Sequence, residues 1–312
     1  MRIVLLGASG NAGRRIAMLL GPGLASHDEV VLAGRDREKL AATRAVVHGP
    51  AATTTAVVDA TRPAEVRGLV AGADLVVVTV SRPDLVGGLA RTVLDAGADW
   101  FDTLLSTQAK WDAWRVLGPE IERRGNCFVT DGGFHPGLPA TMVRWAASQL
   151  DELTEADVVG AMRLDWLADT LADSTVAEMV DEFAVFDMTS WIDGARRRVR
   201  WSQCPTVDFG PPIGRKTRVP MPLVETDALP ALFPSLWRCG FYIGGFSPAM
   251  DYLALPVLTL MGKVPALRQA TIKATRWSMG RLASYPPPHR LVVRLDARGR
   301  RNGTPSTATV RV

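Results

Sequence analysis

The first thirteen residues, MRIVLLGASGNAG, constrain this chain more than any other stretch. Ile3 to Leu6 is an apolar run of strand length. It ends in a glycine-rich turn, Gly7-Ala8-Ser9-Gly10-Asn11-Ala12-Gly13, and a helical spacing of Ile16, Met18, Leu19 and Leu20 follows. Strand, glycine turn and helix in this order form a phosphate cradle. Glycine lets the backbone turn tightly and approach a pyrophosphate, and the helix amino terminus offers N–H groups and the positive end of its dipole. Ser9 and Ala12 stand where the stricter G-x-G-x-x-G has glycines, so the pattern reads G-x-x-G-x-x-G over Gly7, Gly10 and Gly13. Ser9, Asn11 and Ala12 are counted with the three glycines as expected cofactor contacts.

The next segments fit that context. Glu29 to Ala33 reads as a second buried strand, ending at Gly34-Arg35-Asp36. An acidic side chain at this strand end favours NAD by bonding the ribose 2′-hydroxyl, whereas an arginine accommodates the 2′-phosphate of NADP. Arg35 is read as the phosphate ligand and Asp36 as the N-cap of a helix over Arg37 to Ala45. NADP is therefore expected, with NAD the alternative if Asp36 turns to the ribose. Thr55 to Val58 is a third short strand. After it, Asp59 either accepts a hydrogen bond from the adenine amino group or, like Thr61, caps the helix Pro63 to Ala71. Leu75 to Val80 is a continuous apolar run suited to a central parallel strand. Its end places Thr79, Val80 and Ser81 as expected contacts for the nicotinamide ribose.

Further strands are expected at Trp100 to Leu104, with Asp102 near its end, and at Asn126 to Thr130, with helices between them. The alternation predicts a doubly wound parallel sheet over residues 1–150, followed by a smaller α+β domain over 151–312. A second landmark, Asp131-Gly132-Gly133-Phe134-His135-Pro136-Gly137-Leu138-Pro139, follows the sixth strand. Small residues allow close approach there, and the prolines stiffen the loop, which suits the nicotinamide face. His135 is the best-placed titratable group for proton transfer, with Asp131 and Asp102 as weaker candidates; either carboxylate can simply hold loop backbone, and a lone histidine in a Pro/Gly loop is more often structural than catalytic.

The second half is less legible. Strands are expected at Ala156 to Leu164 and Arg196 to Ser202, and helices at Asp173 to Met188 and Pro265 to Leu282. Thr206 to Pro234, rich in proline and glycine, reads as an irregular loop. Phe233, Trp237, Phe241, Tyr242 and Phe246 line an apolar pocket, a dimer face or simply the core. Arg290 to Asp296 and Thr307 to Val312 read as an antiparallel pair joined through Gly299 to Thr304. The last of these reads as an unfinished strand: either the chain is truncated or this domain closes differently.

Several classes are disfavoured. A net charge of +4 with no basic stripe interleaved with aromatics speaks against nucleic acid. Cys127, Cys204 and Cys239, and the four histidines, have no metal-ligand spacing. Cysteines this scattered suit a reducing compartment. No run reaches the ~18 apolar residues of a membrane span. The nearest, Tyr252 to Met261, is broken by Pro256, and a peripheral or substrate-lining role for it stays open. A soluble cytoplasmic protein is expected. There is no Tyr-x-x-x-Lys pair of the short-chain dehydrogenase type.

GASGNAG at Gly7 to Gly13, VVLAGRDREKL at Val30 to Leu40, LVVVTVSRP from Leu75, and GGFHPGLPATMV at Gly132 to Val143 together resemble the saccharopine dehydrogenase-like reductases. The resemblance covers the first half well and the second half loosely. It implies a Rossmann domain, then an α/β domain whose sheet helps to form a substrate cleft and often a homodimer, and nicotinamide-dependent hydride transfer. Many relatives carry Tyr-x-Asp and then Gly-Glu after the fifth strand. Here the segment is Trp100-Phe101-Asp102-Thr103-Leu104-Leu105-Ser106-Thr107, which keeps Asp102 and lacks the acidic neighbour, so it counts against an amino-acid substrate held by that pair. The leading expectation is an NADP-dependent oxidoreductase acting on a small or apolar carbonyl, imine or enoyl group. The alternatives are a non-catalytic NAD(P)-binding regulator or sensor and a structural partner subunit.

Overall fold

Strand and helix patterns alternate through the first 130 residues, and each becomes an element of one layered sheet. The computed structural model describes residues 1–104, 107–167, 173–204 and 206–312; Leu105 and Ser106, in the segment that lacks the acidic neighbour, lie outside them. In chain order the first elements are β1 (Arg2–Leu6), α1 (Asn11–Leu20), β2 (Glu29–Gly34), α2 (Arg37–Arg44), β3 (Ala52–Val57) and α3 (Pro63–Val70). They continue with β4 (Leu75–Val78), α4 (Val86–Asp95), β5 (Asp99–Asp102), α5 (Gln108–Arg124) and β6 (Phe128–Val129). All six strands are parallel, in the order β3-β2-β1-β4-β5-β6.

The sequence reason is the lack of a polar face. Ile3 and Leu5, Val30 and Leu32, and Val77 enter one apolar cluster. Their neighbours Val4 and Leu6, Val31 and Ala33, and Val76 and Val78 enter another on the opposite side. Strands apolar at both odd and even positions must be covered on both faces, and helices supply that cover. Trp100 anchors the second cluster, with Trp114 of α5 edge-on at 5.7 Å and Phe128 stacked at 6.0 Å.

The chain divides into two compact units, Met1–Gly137 and Leu138–Val312. The boundary falls before α6 (Leu138–Gln149) rather than at residue 150, because α6 packs on strands of the second sheet. The second unit is consequently the longer, not the smaller. Its elements after α6 are β7 (Glu152–Arg163), α7 (Asp173–Val185), β8 (Thr189–Ile192), β9 (Ala195–Arg198), β10 (Thr206–Asp208) and β11 (Arg215–Pro220). Then come the one-turn helices α8 (Val224–Asp227) and α9 (Leu229–Leu232), β12 (Arg238–Gly244), α10 (Leu255–Gly262), α11 (Arg268–Ser278), β13 (Arg290–Arg301) and β14 (Thr304–Arg311). The mixed sheet runs β10-β11-β12-β7-β13-β14, and β8 pairs with both β12 and β9.

Two expectations for this unit are corrected and one is narrowed. Thr206 to Pro234 is not an irregular loop: it carries β10, β11 and both short helices, because Arg218 to Pro220 pair with β12. Of the alternatives open for the aromatic cluster, core packing holds for Phe241 and Tyr242, which are buried on β12, a strand that pairs in parallel with β7 some eighty residues back in the chain. Gly299 to Thr304 is mostly strand. β13 and β14 pair from Arg294–Arg311 to Arg301–Thr304, and the turn is only Asn302 and Gly303, both at positive φ.

Candidate functional site

The glycine turn lies where strand order reverses between β1 and β4, the place where open α/β sheets bind ligands. Gly7 and Ala8 both donate to Ala33 O, at 2.9 and 3.0 Å, which ties the turn to the end of β2. Gly10 is the N-cap of α1, with no side-chain cap hydrogen bond and no acidic residue in the first turn. A Cβ on Gly13 would lie 2.3 Å from Gly7 O and 2.8 Å from Ala8 Cα, so only glycine lets the helix start this close to the turn. Gly10, Asn11 and Ala12 are exposed. A helix start uncapped by its own side chains and open to solvent fits a pyrophosphate: N–H groups and dipole are available to an anion.

Arg35 stands exposed at the end of β2. Asp36 caps α2 as its spacing predicts, accepting from Lys39 N at 3.0 Å. Asp59 caps nothing. Its carboxylate accepts from the Thr61 N–H and hydroxyl at 2.9 and 2.8 Å, and α3 has Arg62 at its N-cap position with no side-chain cap hydrogen bond. Those two hydrogen bonds, then the charges of Arg35 and Arg62, hold its carboxyl below the usual range. Arg35 and Asp59 thus lie at the same edge as the glycine turn, at the ends of neighbouring strands.

On the other side of the turn, Thr79 N donates to Leu6 O at 2.9 Å, so Thr79, Val80 and Ser81 leave β4 beside the cradle. β4 ends at Val78, two residues earlier than its apolar run. The loop after β6 folds back on itself: Gly133 N bonds Asp131 O and Pro136 O, and Gly133 bridges Gly137. A Cβ on Gly137, at φ +126°, would fall 2.0 Å from Asp131 O, so the loop closes only with glycine there. His135 lies half-buried in this loop with its ring 4.8 Å from that of Phe134. Burial pushes the imidazole below its ordinary pKa.

Beneath the loop lies a group that sequence reasoning missed. Lys110, in the first turn of α5, is 1% exposed. Its Nζ donates to Asp102 Oδ1 at 2.7 Å, Asp131 Oδ1 at 2.6 Å and Leu104 O at 2.8 Å, which uses all three ammonium protons. Asp102 also accepts from Trp100 Nε1 at 2.7 Å and Thr130 Oγ1 at 2.9 Å. Asp131 sits at φ 61°, a strained conformation for a residue with a side chain. The Lys110 contact holds it there. Two carboxylates at the ends of adjacent strands were a signal that a cation must lie near, and Lys110 is one of only five lysines in the chain.

The second unit has its own polar cluster. Lys216 Nζ and Tyr285 OH both donate to Phe246 O. The Arg163 guanidinium lies 4.7 Å over the Tyr285 ring. Burial pushes the Lys216 ammonium down and the Tyr285 hydroxyl up.

A doubly wound parallel sheet with an uncapped glycine turn at its switch point is a dinucleotide-binding Rossmann domain. Residues 3–124 match the family described as Saccharopine dehydrogenase NADP binding domain. The first unit is therefore a saccharopine dehydrogenase-like domain of the nicotinamide-dinucleotide-binding kind. The fold of the whole chain agrees: apo saccharopine dehydrogenase (L-Glu forming) from Saccharomyces cerevisiae is similar over 99% of this chain and 85% of its own, with TM-score 0.62 and 14% identity. A Rossmann-fold NAD(P)-binding family protein from Shigella flexneri is similar over 41% of this chain and 64% of its own, at 18% identity and TM-score 0.28. A short-chain type dehydrogenase/reductase from Mycobacterium ulcerans is similar over 40% and 62%, at 15% identity and TM-score 0.31. Scores that low carry no weight for the fold. No curated protein matches the sequence.

Proposed function

We propose that this chain is an NADP-dependent oxidoreductase that moves a hydride to or from a small or apolar carbonyl, imine or enoyl group. The observation that carries the reading is the row of groups along one sheet edge: Arg35 after β2, the uncapped glycine turn after β1, Thr79 to Ser81 after β4, and the His135 loop after β6. The cofactor, when bound, supplies the hydride chemistry through its nicotinamide ring. Gly7 to Gly13 hold the pyrophosphate, Arg35 reads the 2′-phosphate, Asp59 bounds the adenine side, and Thr79, Val80 and Ser81 meet the nicotinamide ribose. Asp131 is a positioning residue, since Lys110 engages its carboxylate. The resemblance that supports the activity also supports a homodimer, which sedimentation of the purified chain would check.

Arg35→Ala is expected to weaken NADPH binding at least ~10-fold while leaving NADH within roughly twofold, because only the 2′-phosphate needs the guanidinium. Equal losses for both dinucleotides in a fluorescence titration would remove Arg35 from this role. NADPH binding with no oxidation across carbonyl, imine and enoyl panels would make the chain a regulator or sensor instead.

His135 is the proposed proton-transfer group. Its lowered pKa leaves the imidazole neutral at pH 7, so proton donation during reduction strengthens as pH falls toward and below the ordinary value. The reductive kcat is expected to rise between about pH 8 and about pH 6 in the natural chain and to be flat in His135→Gln. An unchanged slope in the variant would assign the proton to another group.

A further inference from the structure

We infer that the bent helix pair formed by α10 and α11 docks this chain on the surface of an anionic lipid membrane, lying in the interface rather than crossing it. From Tyr252 to Gly262 the segment carries no charged residue, yet only one side of it is covered. Met250 and Leu258 are buried against Met279 and Ala283, with Met179 of α7 beside them. The other side is in water: Leu253 is 70% exposed, Val257 54% and Leu260 67%. These three stand at i, i+4 and i+7, one helical stripe, and exposed Val264 and Leu267 continue the apolar run past the helix end. Helices apolar all round are ordinarily buried, so a stripe left open in this way marks a docking face.

Aromatic and charged neighbours identify the occupant. Tyr252 is exposed at the start of the stripe, with its ring 5.5 Å from that of Trp201. On α11, Lys273 and Trp277 are four residues apart and both exposed, so they share one face. Amphipathic aromatics beside cations are the composition of an interfacial helix. From Tyr252 to Ala283 the chain has no Asp or Glu, and it carries Lys263, Arg268, Lys273, Arg276 and Arg281, all exposed. Asp181 of α7 pairs with Arg268 at 3.0 Å. A two-fold dimer would set this surface against its own copy, cation against cation, which favours a partner of opposite charge over a second copy of the chain. An anionic bilayer surface supplies both what the apolar stripe needs and what the cations need.

Spanning is disfavoured by geometry. Among the described residues no single helix is long and apolar enough to cross a membrane, and the pair Met250–Gly262 and Pro265–Ala283 is bent by 118°. Its inner side is fixed on α7. The surface therefore lies on a membrane, and the exposed stripe enters the headgroup boundary.

The test is co-sedimentation of the purified full chain with vesicles of phosphatidylcholine alone and of phosphatidylcholine with about 30% phosphatidylglycerol. Binding to the anionic vesicles only, released at about 0.5 M salt, is expected. The double variant Leu253→Asp/Leu260→Asp is expected to cut the bound fraction at least ~10-fold with melting and oligomeric state unchanged. Lys263→Glu/Lys273→Glu, which leaves the apolar stripe intact, is expected to lose binding at low salt, and it stands as the test if the first variant folds poorly. Binding to neither vesicle, or equal binding to both, would overturn the inference. So would a Leu253→Asp/Leu260→Asp variant that turns an oligomer into a monomer, since that would make the stripe a self-association face.

Discussion

Lys110→Met is expected to destabilise the first unit by roughly 3–5 kcal/mol, the range for breaking a buried ion pair by removing one partner. Methionine keeps most of the volume, so the loss is electrostatic rather than a cavity. The natural Nζ lies 2.7 Å from Asp102 Oδ1 and 2.6 Å from Asp131 Oδ1. Without it, two carboxylates face each other in a site where Asp102 is 0% and Asp131 5% exposed. Water cannot solvate them, and they repel. Trp100 Nε1 and Thr130 Oγ1 still serve Asp102, but neither replaces the positive charge between the two carboxylates. The variant's melting temperature is expected to fall accordingly below that of the natural chain. Adding Asp131→Asn should restore much of the loss, because one uncompensated charge is gone. A Lys110→Met chain that melts with the natural one would show that the ammonium compensates nothing.

The site also shows where reading the chain in sequence succeeds and where it stops. The glycine turn and the Asp36 cap are local: each geometry rests on neighbours within a few positions, so spacing is enough to find them. β1, β2 and β4 are equally legible, because strands covered on both faces must be apolar at every position. Lys110 fails for the opposite reason. Its partners Asp102 and Asp131 lie eight residues before it and twenty-one after it, and they meet only because β5 and β6 are adjacent. Asp59 reads equally as an adenine acceptor or a helix cap, and its acceptance from Thr61 is a turn detail that spacing does not separate from capping. In the second unit, β12 hides because its flanks are rich in proline and glycine and its pairing with β7 is long-range. β11 and β10 hide with it, since β11 pairs with β12 and β10 with β11.

Glu182→Gln is expected to stabilise the second unit by roughly 3 kcal/mol at pH 8 and by almost nothing near pH 4. Glu182 lies on α7, which packs against α10 and α11. Burial first, and then the charge of Glu178 one turn back on the same helix face, push its carboxyl up to about 7 from an ordinary 4.5. The sign follows from proton binding. Between those two values the folded chain keeps the proton and the unfolded chain has released it, so stability is full below about pH 4.5 and falls as pH rises toward 7. Above 7 the folded protein carries a poorly hydrated charge beside a like charge, at the full cost of the shift. Glutamine carries no charge at any pH and keeps the size and one hydrogen-bonding oxygen, so the penalty disappears and the pH slope flattens. For a unit of this length the gain corresponds to a melting rise of roughly 6–12 °C at pH 8. Melting curves for both chains across this range decide it. A constant offset, or a gain that grows toward acid, would mean that Glu182 is hydrated in the folded chain and that Glu178 alone sets no penalty.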